Sequence, residues 1–266
     1  GRMTAERAAA VRLTFRDATD RAKDATPRLM DILISQMREP WQILRLVSAV
    51  MDRPQDSFLA SSELAPIGMR MLDQMDAQVE VLKAFDPLGG VKAGAAAAES
   101  VRLIIAQAVE FEESLDLKRD GPWGSRVAQL KKITAQKVET LLAKIDDAAA
   151  EALPLKAPKF GKGMRGLPRF DAAPKAEAVA RAEAFMIFIE QVRGPSQAGG
   201  FAAARTKVIE KLDDRLDHYV EDVLEYLRGE DAEEADNARA YLDLAARFVG
   251  LLHDEKAAQI VRRRAA

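Results

Sequence analysis

Residues 201–228 read FAAARTKVIEKLDDRLDHYVEDVLEYLR. At about 100° per residue, Ile209, Leu212, Leu216, Tyr219, Val223 and Leu227 fall on one stripe of a helix. Glu210, Asp213, Asp214, Asp217, Glu221 and Glu225 fall beside it, within an arc of roughly 120°. Gly200 precedes the stretch and Gly229 follows it, so both ends are punctuated. A long amphipathic helix of this kind buries its stripe against other helices, and it sets the reading of the rest of the chain.

Outward from this stretch the same period recurs. Lys175 to Arg193 and about Asp231 to Arg263 read as its two helical neighbours, making a three-helix part over 175–266. Towards the N-terminus, Thr26-Pro27 is a helix start, with Thr as N-cap and Pro at the first helical position. Further helices are expected from Pro40, from Pro66 to Phe85, from about Val91 to Lys118, and from Arg126 to Leu153. Asp86-Pro87-Leu88-Gly89-Gly90 and Asp120-Gly121-Pro122-Trp123-Gly124 are breaks between them. No alternating strand pattern is found. The fold expected is all-α, with about eight or nine helices arranged as a bundle or an elongated array.

Composition agrees. Of 266 residues, 48% are apolar, 31% charged and only 6% aromatic, which favours helices over sheets. The absence of cysteine removes disulfides, thiol nucleophiles, iron–sulfur clusters and Cys-based zinc sites. Two histidines, His218 and His253, are too few for a His-rich metal site. No apolar run reaches the roughly 20 residues of a membrane span, and no signal peptide is visible, so a cytoplasmic location is expected. Abundant Ala and Arg point to a GC-rich bacterial genome. A net charge of −2 gives the chain no bulk attraction for polyanions.

The strongest discontinuity lies at 154–174, where Pro154, Pro158, Gly161, Gly163, Gly166, Pro168 and Pro174 exclude any regular element. It divides the chain into an N-terminal helical bundle, 1–153, a basic linker, 154–174, and the three-helix part. The linker carries Lys156, Lys159, Lys162, Arg165 and Arg169, interleaved with Phe160, Met164 and Phe170. Cations with aromatics suit nucleic acid or acidic lipid headgroups. Two plainer readings stand beside that one: a connection pinned to the bundle by its aromatics, or a basic strand lying along the acidic helix and neutralising it.

The acidic arc has three readings as well. It is a solvated face, a dock for a basic partner, or a Mg²⁺ site built of carboxylates. Asp213-Asp214-Arg215-Leu216-Asp217 is similar to the DDxxD sequence of helical isoprenoid synthases. That resemblance implies a Mg²⁺-dependent enzyme acting on a diphosphate, with Asp213, Asp214, Asp217 and Glu221 as its acidic candidates. A second Asp-rich helix of similar spacing is missing. Gly89 and Gly94 have P-loop spacing, but Ala95-Ala96 stands where Lys-Ser/Thr is needed. No nucleophile, base and oxyanion set converges, so no catalytic residue and no cofactor are assigned. The expected function is a non-catalytic scaffold, adaptor or regulatory interaction module, with a protein partner or self-association. Met30, Met37, Met51, Met69, Met71 and Met75 in the front part read chiefly as core, and secondarily as an adaptable binding surface.

Overall fold

The computed structural model describes residues 5–22, 25–51, 53–156, 166–229 and 234–264. Among them the chain is all-helical, with isolated bridges in place of strands. The α-helices are α1 (Ala5–Arg21), α2 (Ala25–Gln36), α3 (Ile43–Met51), α4 (Asp56–Ala60), α5 (Ala65–Lys83), α6 (Gly90–Ser114) and α7 (Gly124–Leu142). They continue with α8 (Ile145–Ala152), α9 (Ala176–Gln191), α10 (Ser196–Gly199), α11 (Ala202–Arg228), α12 (Ala235–Leu252) and α13 (Glu255–Arg263). Single 3-10 turns occupy Pro40–Gln42 and Pro87–Gly89.

These are more helices than eight or nine, and the reasons are local. The helix expected over Arg126 to Leu153 is two, α7 and α8, parted at Ala143-Lys144 without glycine or proline. Asp146 and Asp147 fill the first turn of α8, where the helix dipole favours carboxylates. The helix expected to run to Arg263 is likewise α12 and α13. Asp254 is extended between them, and its side chain accepts the Ala257 N–H at 2.8 Å, an N-cap that starts a new helix. The helix expected from Pro40 begins as a 3-10 turn, with α3 starting at Ile43. Helices α1, α4 and α10 were not foreseen at all.

The chain forms two compact units. Unit 1 comprises residues 1–80 and 103–134. Its core gathers Met30, Ile43, Leu44, Leu59, Leu72, Met75, Ile104, Phe111, Trp123 and Leu130. Most of the front-part methionines serve this core, as their helical spacing suggests; Met51 and Met69 are exposed. Trp123 is 2% exposed and meets Phe111 edge-on at 6.0 Å. A Cβ on Gly68 would fall inside the Trp123 ring, so α5 has no side chain there.

Unit 2 comprises residues 81–102 and 135–266, and so includes both sides of the Pro/Gly-rich stretch. In unit 2, α8 packs on α9 and α11, and α12 packs on α9, α11 and α13. The apolar stripe of α11 is inward as expected: Leu212, Leu216, Tyr219, Val220, Val223 and Leu224 are buried. Phe85 stacks on Phe188 and meets Phe185 edge-on. A Cβ on Gly94 would overlap the Ala184 carbonyl, so the α6–α9 crossing is close enough to require glycine.

The described ends of the linker are ordered without helix. Leu155 and Pro168 form an antiparallel bridge, with Lys156 N–H donating to Leu167 O at 2.7 Å and Arg169 N–H to Pro154 O at 3.0 Å. Phe170 is buried against Tyr226, with ring centroids 4.7 Å apart, and Asn237 Nδ2 donates to its carbonyl at 2.7 Å. This end of the linker is pinned by its aromatic residue.

Candidate functional site

The sequence placed candidates in unit 2, and the structure scatters or pairs them. Lys159, Phe160, Lys162 and Arg165 lie outside the described residues. Lys156 is exposed, and Arg169 is held by Asp171 at 2.9 Å. On the acidic arc, Asp213 takes a hydrogen bond from His253 Nε2 at 2.7 Å, which ties α11 to the end of α12. Asp214 lies 3.2 Å from His218 Nδ1 one turn on, and Glu221 accepts from Arg264 at 2.8 Å. That ion pair, with the hydrogen bond it contains, holds the Glu221 carboxyl below the usual glutamate range. Asp217 is exposed. Among the described residues, no three acidic or histidine side chains are grouped so as to hold a metal ion. None of their helices is long and apolar enough to cross a membrane.

A small recess of about 290 Å³ lies on α11, lined by Leu155, Lys211, Asp214, Arg215, His218 and Tyr219. Its two cations share one carboxylate. Asp146 accepts from Lys211 Nζ at 2.8 Å and from Arg215 Nε and Nη2 at 3.0 and 2.8 Å. Burial pushes the Asp146 carboxyl up, but the hydrogen bonds from Lys211 and Arg215 outweigh it, and the net direction is down. The Tyr219 hydroxyl is buried with no hydrogen-bond partner among the described residues, and burial, aided by Tyr241, drives its pKa upward.

Unit 1 holds a larger feature that no motif announces. A cleft of about 830 Å³ opens among α1, α2 and the start of α3. Its walls are Val11, Thr14 and Phe15 from α1, and Leu29, Ile32, Leu33 and Met37 along α2 and just past it. Gln42, Arg45 and Leu46 complete them. Seven of these are apolar. Phe15 and Leu46 are buried, Leu29, Leu33 and Met37 half-buried, and Ile32 stands at the rim, 59% exposed.

The amphipathic pattern explains how the cleft arises. Leu29, Ile32 and Leu33 share one face of α2 with the neighbouring turn occupied by Met37. Met30 instead points into the core. So α2 has more apolar perimeter than the unit covers. The polar part of the wall is fixed from behind. Arg45 Nε donates to both oxygens of Glu110, at 2.9 and 2.8 Å, and Nη2 lies 2.7 Å from Oε2. Glu110 is only 2% exposed, and its Oε1 also accepts the Ser114 hydroxyl at 2.8 Å. Chemically, the cleft offers apolar contact with one oriented guanidinium, the Thr14 hydroxyl and the Gln42 amide.

Sequence reasoning missed this site because its walls come from three helices, one of which was not foreseen. The signal that was available is the surplus of apolar residues on α2. The same holds for Asp56, a fully buried carboxylate in unit 1. It accepts the main-chain N–H groups of Ser57 (2.9 Å), Gly124 (3.0 Å) and Trp123 (3.3 Å). It thereby supplies the capping acceptor of α7, while the Ser125 hydroxyl donates to Gly121 O at 2.8 Å.

No family model matches the chain, and no curated protein or solved structure matches it either.

Proposed function

We propose that this protein is a non-catalytic helical interaction module, a scaffold, adaptor or regulator, and that the unit 1 cleft receives an amphipathic helix of a partner protein. The observation that carries this reading is the cleft itself, with its apolar walls and exposed rim. Leu29, Ile32, Leu33 and Met37 extend over about 12 Å at the helical rise, the length of a partner ridge with anchors at i, i+3 or i+4, and i+7. Its volume falls within the range of small-molecule sites. The rim argues for a helix instead: Ile32 stands outward, where a small ligand would leave it wet and a helix would cover it.

Two other readings have less support. Binding of nucleic acid or acidic lipid through the linker would need free cations. Among the described ones, Arg169 is paired with Asp171, the neighbouring Lys211 and Arg215 share Asp146, and Lys156 alone of the linker cations stands exposed with no ion pair among the described residues. A Mg²⁺-dependent diphosphate enzyme would need Asp213, Asp214, Asp217 and Glu221 to converge, and three of these face His253, His218 and Arg264.

The test is Ile32→Glu, which puts a charge on the rim without disturbing the core, in cells of the native host with a photoreactive benzoylphenylalanine at Met37. The expected result is one partner polypeptide joined at a segment with helical apolar spacing, lost in Ile32→Glu. Adducts spread over many proteins, no protein adduct, or an adduct indifferent to Ile32→Glu would each defeat the reading.

A further inference from the structure

Helix α13 is held to the rest of unit 2 by charge, with almost no apolar core of its own. Of its nine residues only Ala258 is buried, Ala257 and Val261 are half-buried, and Ile260 is 61% exposed. Ala258 meets α12 at Gly250, where an added Cβ would lie 3.2 Å from the Ala258 Cβ. A methyl group against a glycine takes little apolar surface out of water, and hydrophobic stabilisation scales with that surface. By contrast, α12 buries Tyr241, Leu242, Leu244, Phe248 and Leu252.

Polar contacts hold the two ends of α13. Just before it, His253 Nε2 lies 2.7 Å from Asp213 of α11. At its far end, Arg262 Nε donates to Asp243 of α12 at 3.3 Å, and Arg264 Nη2 donates to Glu221 of α11 at 2.8 Å. Arg262 Nη1 also donates to Glu255, two turns back in α13, at 2.8 Å. Arg262, Arg264, Asp243 and Glu221 are all exposed, so salt screens their attraction.

We propose that α13 is a salt-released strap, which its arginines hold down on Asp243 and Glu221 at low ionic strength and which lifts from them as ionic strength rises. Nine residues are too few for a stable helix alone in water, so the lifted segment loses its helix together with its contacts. Lifting returns Glu221 to the line of Asp217 and Glu225, which stand exposed one turn to either side of it on α11. The docked strap thus divides an acidic ridge that the released strap makes continuous.

Amide hydrogen exchange of the whole chain at fixed pH, read residue by residue, tests this. Sodium chloride is raised from about 0.01 M to about 1 M, over which the screening length falls from about 30 Å to about 3 Å. Exchange at Ala258 to Arg263 should quicken about tenfold, the combined worth of two exposed ion pairs. Tyr241 to Phe248 in α12 should keep their rates. In the double variant Asp243→Asn with Glu221→Gln, α13 should exchange fast at low salt and quicken little further. Asp217→Asn removes a charge from the same ridge that pairs with no arginine of the strap among the described residues, and should leave α13 as in the wild type. Exchange in α13 that ignores salt, that rises only together with α12, or that responds to Asp217→Asn as much as to the double variant would overturn the proposal.

Discussion

The Asp56 carboxylate accepts the main-chain N–H of Gly124 at 3.0 Å, across 68 residues of sequence. The same oxygen takes the Trp123 N–H, and the other takes the Ser57 N–H. One buried side chain thus caps the start of α7 and seats Trp123 under α5. A Cβ on Gly121 would fall on the carboxylate, so that loop has space for Asp56 and nothing more.

Asp56→Ala should therefore cost unit 1 about 3 kcal/mol or more, since buried N–H groups lose their acceptor at about 1–3 kcal/mol each. Both tryptophans, Trp41 and Trp123, lie in unit 1, and all three tyrosines, Tyr219, Tyr226 and Tyr241, lie in unit 2. Urea unfolding followed by tryptophan fluorescence should shift to lower urea. An unchanged midpoint would mean that water replaces the carboxylate without loss.

In unit 2, Gly94→Ala sets two effects against each other. Alanine raises helix propensity by about 1 kcal/mol. Its Cβ would overlap Ala184 O and crowd Ile187 in the α6–α9 crossing, and overpacking of this kind costs about 1–3 kcal/mol. The clash is with backbone, which yields less than a side chain, so the net effect is destabilising. Unfolding followed by near-ultraviolet tyrosine dichroism should show it.

Phe170→Ala removes a buried ring packed on Tyr226 and Tyr241. The loss should be about 3–5 kcal/mol, as for other buried aromatics. Release of this strap should also open the Leu155–Pro168 bridge, read as faster amide exchange at Lys156 and Arg169, whose N–H groups close it.

Acid should act on unit 2 through Asp146. Its folded pKa is lowered from the ordinary 3.8, so the stability it contributes is present above that value and is lost as pH falls through the folded pKa. Unit 2 should weaken below about pH 4, and Asp146→Asn should weaken it at neutral pH while flattening the acid limb. Parallel pH profiles of wild type and variant would contradict this.

What the sequence disclosed was periodicity. The α11 stripe, the turn at Asp86 to Gly90 and the all-helical class follow from local spacing and glycine or proline punctuation. Where the ends of a helix are set by a side chain, as at Asp254, or by partners distant in sequence, as at Asp146 with Lys211 and Arg215, local pattern gave one helix where there are two. The cleft was invisible for the same reason: Phe15, Leu33 and Leu46 mark a surface only once three helices are assembled. The charged residues that stood out in sequence stood out because they were clustered along the chain. In space several of the described ones meet partners that the pattern does not show: Arg169 meets Asp171, Asp213 meets His253, and Glu221 meets Arg264.

The cleft's role is tested most directly by comparing photo-adducts from Leu33, inside the cleft, in chains carrying Ile32 or Ile32→Glu, with the joined peptides sequenced. The account predicts a single helical segment with apolar residues at i, i+3 or i+4, and i+7, and its loss when the rim carries a carboxylate. The same adducts at the same yield in Ile32→Glu, or no adduct with any protein, would contradict it.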